Sequence, residues 1–460
     1  MKIIIVGMGQ TGRMLAIAAC KEQHEVIVID SKKEAVDEMT DKYNMNGVVG
    51  SGGSRNILMQ AGAEDADLLV ALTPYDELNI LSCMTAKKLG TRDTSARIHC
   101  PEFDEDEAYI LKEYGIDRLL NPEKEAAKEM LWHIGQSSAL RTEAFFERKI
   151  LVSELEVEEN SPLINMTVRQ VKEFFDTDML VVAIRRKKGI LIPDGNAQIM
   201  HQDKLEVIVP VKSVRTIFRK LRMKEKRVRT IFMVGCGTTG YYLAKELEGT
   251  GYSLKILEKD RERCIELTNQ FPKAQVVYAD AVDPQILEEE GIKRMDACVS
   301  VTGNDRTNLA VSLYANSEGV TQVLAKINEA GYEQILKKSD ISTCVSPSSV
   351  IVHELLSVIR NLGSSNDSWI KKLYRIADGQ AEAIAFEVSD HCDWSDMPFR
   401  APEFRLKKGI LIAAIIRGKE IFIPDGNSSM QAGDTVVVIS DTRNILKEID
   451  DIFDKKTKTQ

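Results

Sequence analysis

The sequence predicts an α/β protein: two tandem Rossmann-like parallel-sheet domains, each followed by a small α+β domain. Three observations carry this. Short Val/Ile/Leu runs of strand length alternate with helical stretches, as in a parallel sheet covered on both faces. The opening KIIIVGMGQTGRMLA (2–16) recurs as RTIFMVGCGTTGYYLA (229–244). KKGILIPDGN (187–196) recurs as GKEIFIPDGN (418–427), so the chain reads A-B-A-B, an internal duplication.

In the first A unit, strands are expected at 2–6, 25–29, 47–49, 68–72, 95–99 and, shorter, at 117–120. Helices at 121–136 and 347–361 are expected to close each A unit, and 211–226 to bridge to the second half. The B units alternate apolar and polar residues and turn at Pro-Asp-Gly-Asn, which reads as hairpins. The apolar run 409–416 reads as a buried strand.

Composition excludes several function classes. At 460 residues the chain exceeds a single core. A net charge of −9 argues against a general nucleic-acid binder, which needs a basic face. The local stretch KLRMKEKRVR (220–229) reads as a solvated linker. The chain opens directly on a strand, and no apolar run approaches the ~20 residues of a membrane span, so any membrane role is expected to act through a partner. The eight cysteines lie scattered and the six histidines dispersed. This is reduced, cytosolic usage, and no metal site is expected.

Gly7-x-Gly9-x-x-Gly12 lies between a strand and a helix, and Asp30 ends the next strand. That context makes the motif a dinucleotide-type cradle. The first glycine permits the tight turn, the second lets a pyrophosphate approach the backbone, and the third lets helix and strand pack. The helix N-terminus offers free N–H groups to phosphates, with Met8, Gln10, Thr11 and Arg13 beside them. Asp30 is placed to accept from the ribose hydroxyls, and its charge disfavours NADP. The second copy offers Gly235, Cys236, Gly237, Thr238, Thr239, Gly240 and Glu258 at a constant offset of 228 residues.

Further candidates follow each motif. ADLLVALTPYDELNI (66–80) matches MDACVSVTGNDRTNL (295–309). Thr73 and Thr302, ending the fourth strands, either hydrogen-bond a nucleotide or cap the following helix, the role expected for Asp76 and Asp305. Arg97, near the end of the fifth strand, reads as a ligand contact or an interdomain ion pair, and Lys326 is its equivalent. Arg13 either reaches the ligand or faces solvent. Ser51 and Gly52 either line the adenine side or form a plain turn; at the same offset they correspond to Ala279 and Asp280. No catalytic constellation repeats in both copies. His99 is the best candidate for an NAD-dependent oxidoreductase, the competing reading, but its counterpart is Asn328.

These residues resemble those of the RCK (KTN) regulator family of potassium-uptake systems. The resemblance rests on VGMGQTG with Asp30, LVALTPYDELN, ARIHCPEF, IPDGN and their second copies, and covers nearly the whole chain. It implies N-subdomains at 1–138 and 227–364 and C-subdomains at 139–222 and 365–460. It further implies a cytoplasmic homo-oligomer, a tetrameric ring, docked peripherally on a Trk-type membrane potassium-translocating subunit. NAD(H) and/or ATP/ADP would be its cofactors, with Arg97 reading a terminal phosphate. Gly52 stands where many relatives carry an aspartate, as Asp280 does, which puts equal ligand preference in doubt. Alternatives within the family are a Ktr-type channel or cation-antiporter regulator that binds a cyclic dinucleotide at the C-subdomains. A divalent cation near the PDGN turns is a further alternative, although Asp194 and Asp425 read as turn formers. Nucleotide titration of the halves 1–222 and 227–460 is the test this organisation suggests.

Overall fold

A computed structural model describes residues 1–134, 141–145, 150–157, 159, 161–186, 189–210, 213, 216–217, 220, 228–339, 341, 343–363, 370–376, 380–390, 392, 394–441 and 444–454. Most of the expected bridge 211–226 and of the basic stretch 220–229 lies outside them, as does the helix end beyond 134. The chain divides into two compact units, 1–135 with 227–359, and 136–226 with 360–460.

The first unit holds two six-stranded parallel sheets of the same topology. The first comprises β1 (Lys2–Val6), β2 (Glu25–Asp30), β3 (Asn46–Val49), β4 (Leu68–Ala71), β5 (Asp93–Arg97) and β6 (Arg118–Leu120), in the order β3-β2-β1-β4-β5-β6. Helices α1 (Gln10–Lys21), α2 (Lys33–Lys42), α3 (Arg55–Gln60), α4 (Asp76–Leu89), α5 (Pro101–Glu105), α6 (Glu107–Tyr114) and α7 (Pro122–Ile134) link the strands and follow the last. Ile3, Ile4 and Ile5 are fully buried, which is why β1 reads as an unbroken apolar run: both faces are covered. The strand order reverses between β1 and β4, the crevice where such sheets bind ligands.

The fifth strand ends two residues before the expected 95–99. The backbone N–H groups of His99 and Cys100 donate to the Asp76 carboxylate instead, at 2.9 and 2.8 Å, so the ladder stops at Arg97.

The second unit carries two antiparallel sheets. β7 (Arg141–Phe145), β8 (Ile150–Glu156), β9 (Leu180–Arg186), β10 (Gly189–Leu191) and β11 (Lys204–Pro210) form one, with helix α8 (Val168–Phe175) beside it. α8 opens on a capping box of Thr167 and Gln170.

The repeat of the parallel sheet runs through β12 (Thr230–Val234), α9 (Thr238–Leu247), β13 (Ser253–Glu258), α10 (Arg261–Gln270), β14 (Gln275–Tyr278), α11 (Pro284–Glu289), β15 (Ala297–Ser300), α12 (Asp305–Ser317), β16 (Gln322–Lys326), α13 (Ala330–Lys338), β17 (Thr343–Val345) and α14 (Pro347–Leu362). The final sheet of the second unit is β18 (Ile370–Ile376), β19 (Ala381–Glu387), β20 (Ile410–Arg417), β21 (Glu420–Phe422) and β22 (Thr435–Asp441). β20 is the expected 409–416 strand. The two antiparallel sheets share a core in which Val152, Val182 and Ile208 meet Ala383, Ala413 and Val437. Asp194 and Asp425 accept from Asn196 and Asn427 N, each at 2.9 Å, and so form the turns.

Two expectations are corrected. The helix at 121–136 does not close its own copy. Ala126, Ala127, Met130 and Ile134 of α7 enter the core of Ile231, Met233 and Leu243 in the second copy, and α7 packs on α9 and β17. Asn121 Nδ2 donates to the Tyr242 hydroxyl at 2.8 Å, and Gln322 Nε2 donates to His133 O at 2.6 Å. In the reverse sense, Ser348 of α14 meets Thr11 of α1 at 2.8 Å. An apolar helix stripe fixes that a helix is buried, not which sheet buries it. The halves 1–222 and 227–460 are therefore not self-contained.

The second correction concerns the repeat offset. Val49 pairs with Asp30, and Tyr278 with Glu258, so the offset has become 229. One extra residue lies in the Phe271–Ala274 connection compared with Tyr43–Met45. The structural equivalent of Asp280 is thus Ser51, and that of Gly52 is Ala281.

Candidate nucleotide-binding sites

Each glycine of the first cradle has a separate reason. Gly7 turns at φ +95°, and a Cβ there would lie 2.9 Å from Thr73 N. A Cβ on Gly12 would lie 1.9 Å from Gly7 O, so only glycine lets α1 approach β1. Gly9 differs: a Cβ would meet nothing within 4 Å, and the same holds at Gly237. Both middle glycines border open space, the position through which a ligand phosphate approaches the backbone.

The acids are held from below. Asp30 Oδ2 accepts from Met8 N at 2.7 Å and Oδ1 from Lys32 N at 2.9 Å. Glu258 Oε2 accepts from Cys236 N at 2.7 Å, and Oε1 from Lys259 N and Asp260 N at 2.8 and 3.1 Å. A carboxylate has about four lone-pair sites, so each acid keeps capacity for a ribose hydroxyl while its orientation is fixed.

Arg13 is partly exposed and already holds two partners. Its Nε donates to Met8 O at 2.8 Å and its guanidinium pairs with Glu38 of α2. The second copy has Tyr241 at that position, and Arg263 of α10 takes over, donating from Nε to Cys236 O at 3.2 Å. Gln10 donates to Asn328 O in the second copy. Thr238 opens α9, and Thr239 is buried with its hydroxyl unpartnered among the described residues. Burial pushes the Cys236 thiol up to about 12, so it stays protonated.

Thr73 and Thr302 accept from the backbone N–H of Tyr75 and Asn304, the residues just before α4 and α12, at 3.3 and 3.2 Å. Each hydroxyl and each backbone N–H donates to one buried asparagine, Asn79 Oδ1 at 2.7 and 2.9 Å and Asn308 Oδ1 at 2.7 and 2.9 Å. The asparagines in turn donate to the strand-five carbonyls of Arg97 and Lys326, each at 2.9 Å. These asparagines tie the fourth strand to the fifth at the crevice. The signal for them was the repeated Asn in YDELN and NDRTN.

Asp76 and Asp305 likewise hold the loop after strand five, Asp305 by accepting from Asn328 and Glu329 N at 2.8 Å each. Gly52 is buried, and a Cβ would press on Val6 at 2.2 Å; it is a packing turn rather than an empty aspartate position. Ser51 is exposed beside it.

Burial works against ionisation of Asp76, but the His99 ring and the Cys100 and His99 N–H groups together hold its carboxyl below the usual range. A depressed carboxyl stabilises above the unfolded pKa near ~3.9 and loses that contribution as pH falls through the folded value. Asp76→Asn is expected to flatten the acid limb of stability against pH, read by urea unfolding between about pH 3 and 7.

Arg97 donates from Nη2 to Glu123 Oε1 at 2.9 Å, an ion pair within its own copy. Burial lowers the pKa of Lys326, while the Glu123 and Asp305 carboxylates support its charge. Glu123 thus influences cations from both copies, a role that sequence reasoning missed. Among the described residues no group of His, Cys, Asp or Glu is placed to hold a metal ion, and no helix is long and apolar enough to cross a membrane.

Two domain families recur across this frame. The TrkA-N domain matches 3–122 and 231–347, and the TrkA-C domain matches 152–222 and 383–453. The chain belongs to the TrkA family. It is 32% identical to the Trk system potassium uptake protein TrkA homolog 1 of Methanosarcina mazei, over 96% of this chain and 97% of that protein. Identity to the Trk system potassium uptake protein TrkA of Vibrio alginolyticus is 29%, over 98% of each. The GsuK RCK domain is 17% identical with a TM-score of 0.60, covering 96% of this chain and 92% of that one. The GsuK channel bound to NAD is 18% identical with a TM-score of 0.58, covering 96% of this chain and 77% of that one. The fold of this chain is accordingly that of the GsuK RCK domain.

Proposed function

We propose that the chain is a nucleotide-sensing regulatory subunit that gates a Trk-type membrane potassium-translocating partner from the cytoplasmic face. The single observation that carries this is the paired cradle: two glycine turns, each above a carboxylate held by backbone N–H groups. The ligands are NAD(H) and/or ATP/ADP, an assignment supported by a fold neighbour described as bound to NAD and another as bound to ADP. The subdomain bounds 1–138, 139–222, 227–364 and 365–460 complete the proposal.

A ring gives the gating its energy. Moving a closed-to-open ratio from 1:99 to 99:1 needs roughly 5.5 kcal/mol of differential binding. Spread over four chains that is about 1.4 kcal/mol each, within ordinary allosteric coupling. Arg97 and Lys326, ending equivalent strands, are the cations in reach of terminal phosphates. Arg97→Ala is expected to reduce the ATP-to-ADP affinity ratio by about fivefold, a loss of roughly 1 kcal/mol, read by calorimetry.

The oxidoreductase reading rests on His99, whose Nδ1 lies 2.8 Å from Asp76 Oδ1. The second copy makes the same loop contacts through Asp305 with asparagine in place of that histidine. The aspartate is therefore a loop tether in both copies, and the histidine is dispensable to it.

The test uses the full chain. Asp30→Ala and Glu258→Ala are each expected to remove one binding event, with affinity falling about 30-fold, or ~2 kcal/mol, for ATP, ADP, NAD and NADH. Unchanged binding in the double variant would falsify the proposal.

A further inference from the structure

The loops that follow the third strand of each parallel sheet share one backbone and differ in chemistry. Gly50 N donates to Asp30 O at 2.9 Å, and Ala279 N to Glu258 O at 3.0 Å. Each loop turns back at the next residue: Ser54 N donates to Ser51 O at 3.0 Å, and Asp283 N to Asp280 O at 3.4 Å. Ser51 and Asp280 therefore hold one position, two residues past the strand residue that pairs with the acid of the site. In the strand orders β3-β2-β1 and β14-β13-β12 this position lies beyond the acid, on the side away from the glycine turn. A nucleotide with its phosphates on the glycine turn and its ribose on the acid carries its base onward in that direction. Ser51 and Asp280 stand where the base arrives.

What the two residues offer a base is different. Asp280 Oδ1 accepts from Val282 N at 3.1 Å, which orients the carboxylate and leaves most of its lone-pair sites to a ligand. An ionised carboxylate accepts and cannot donate. Adenine brings it the protons of a 6-amino group. A 6-oxopurine brings a carbonyl oxygen instead, acceptor against acceptor. Tyr278 and Val282, 62% and 68% exposed, flank Asp280 and give a flat ring an apolar surface. The first loop reads Gly50-Ser51-Gly52-Gly53. A serine hydroxyl both donates and accepts, so it meets a 6-amino or a 6-oxo group alike. The bare form of this loop is set by packing: a Cβ on Gly52 would lie 2.2 Å from Val6, and one on Gly53 3.0 Å from Leu78.

Resting on the nucleotide-binding reading above, we infer that the two sites differ in the bases they admit. The second selects adenine through Asp280. The first, through Ser51, also takes nucleotides of 6-oxopurines, the class of the inosine and guanosine phosphates. One position in each loop thus determines base specificity, and the duplication holds it in two versions.

The test reads each site separately in the full chain, with Asp30→Ala leaving the second site and Glu258→Ala the first. ATP and inosine triphosphate, which differ at the 6-position of the base, are titrated by calorimetry. In the Asp30→Ala background the inosine nucleotide is expected to bind about tenfold more weakly than ATP, since a site that hydrogen-bonds an N–H rejects a ligand lacking it. In the Glu258→Ala background the two are expected to agree within about twofold. Adding Asp280→Ser to the first background is expected to erase the preference, and adding Ser51→Asp to the second to create it. Both exchanges lie on exposed positions, and where only one site gives heat its own exchange decides. Equal ratios at the two sites, or ratios that neither exchange moves by more than about twofold, overturn the inference. No heat from either nucleotide in either background overturns the nucleotide reading itself.

Discussion

Gly12→Ala is expected to destabilise the first parallel-sheet domain by about 3 kcal/mol, at the upper end of what overpacking costs, and to abolish binding at the first site. The added methyl would sit 1.9 Å from Gly7 O. That neighbour is backbone, fixed in turn by Gly7 N donating to Ile29 O at 2.7 Å. Relief requires α1 to move away from β1, which takes Thr11 from Ser348 and the helix N-terminus from the ligand. The equivalent Gly240→Ala would sit 2.8 Å from Gly235 O. A smaller shift suffices there, and about 1 kcal/mol is expected. Urea midpoints of the two variants, compared with the parent chain, check both values, and calorimetry with ATP and NADH checks the lost site. Equal midpoints for the two variants would show that the tighter turn gives as easily as the looser one.

Asn79→Ala is the second large effect, at about 3 kcal/mol, because it leaves several buried groups without partners. Asn79 is fully buried and bonds the N–H, carbonyl and hydroxyl of Thr73 and the carbonyl of Arg97. No water replaces those contacts without a cavity lined by polar atoms. Asn308→Ala should cost a similar amount, since Asn308 repeats the pattern. Thr73→Val added to Asn79→Ala is expected to cost less than Thr73→Val alone, as members of one network couple. Thermal or urea unfolding of the four proteins measures the coupling; strict additivity would mean the asparagine acts only by filling space.

The parallel sheets were legible because buried strands must be apolar on both faces, and β1 as KIIIV leaves no other reading. The cradles were legible because a glycine turn followed by a strand-ending acid has few structural uses. What escaped was set by geometry that a linear pattern does not carry. The pairing of Arg13 with Glu38, one helix away, is not written in the motif that holds Arg13. Asp76 reads as a helix cap from its place in the first turn, yet the loop after β5 passes close enough to take its oxygens. The single inserted residue near Pro272 left the glycine offset untouched and shifted everything after it. Only strand pairing exposes that slip, and with it the true partner of Asp280.

The crossed helix α7 also has a consequence for how the protein is made. A ribosome releases Ile134 roughly 110 residues before Leu243, an interval on the order of 5–20 s at ordinary elongation rates. Throughout that time Met130 and Ile134 have no sheet to cover them, because their core lies in polypeptide not yet synthesised. The nascent first half therefore carries an exposed sticky helix until its own duplicate emerges.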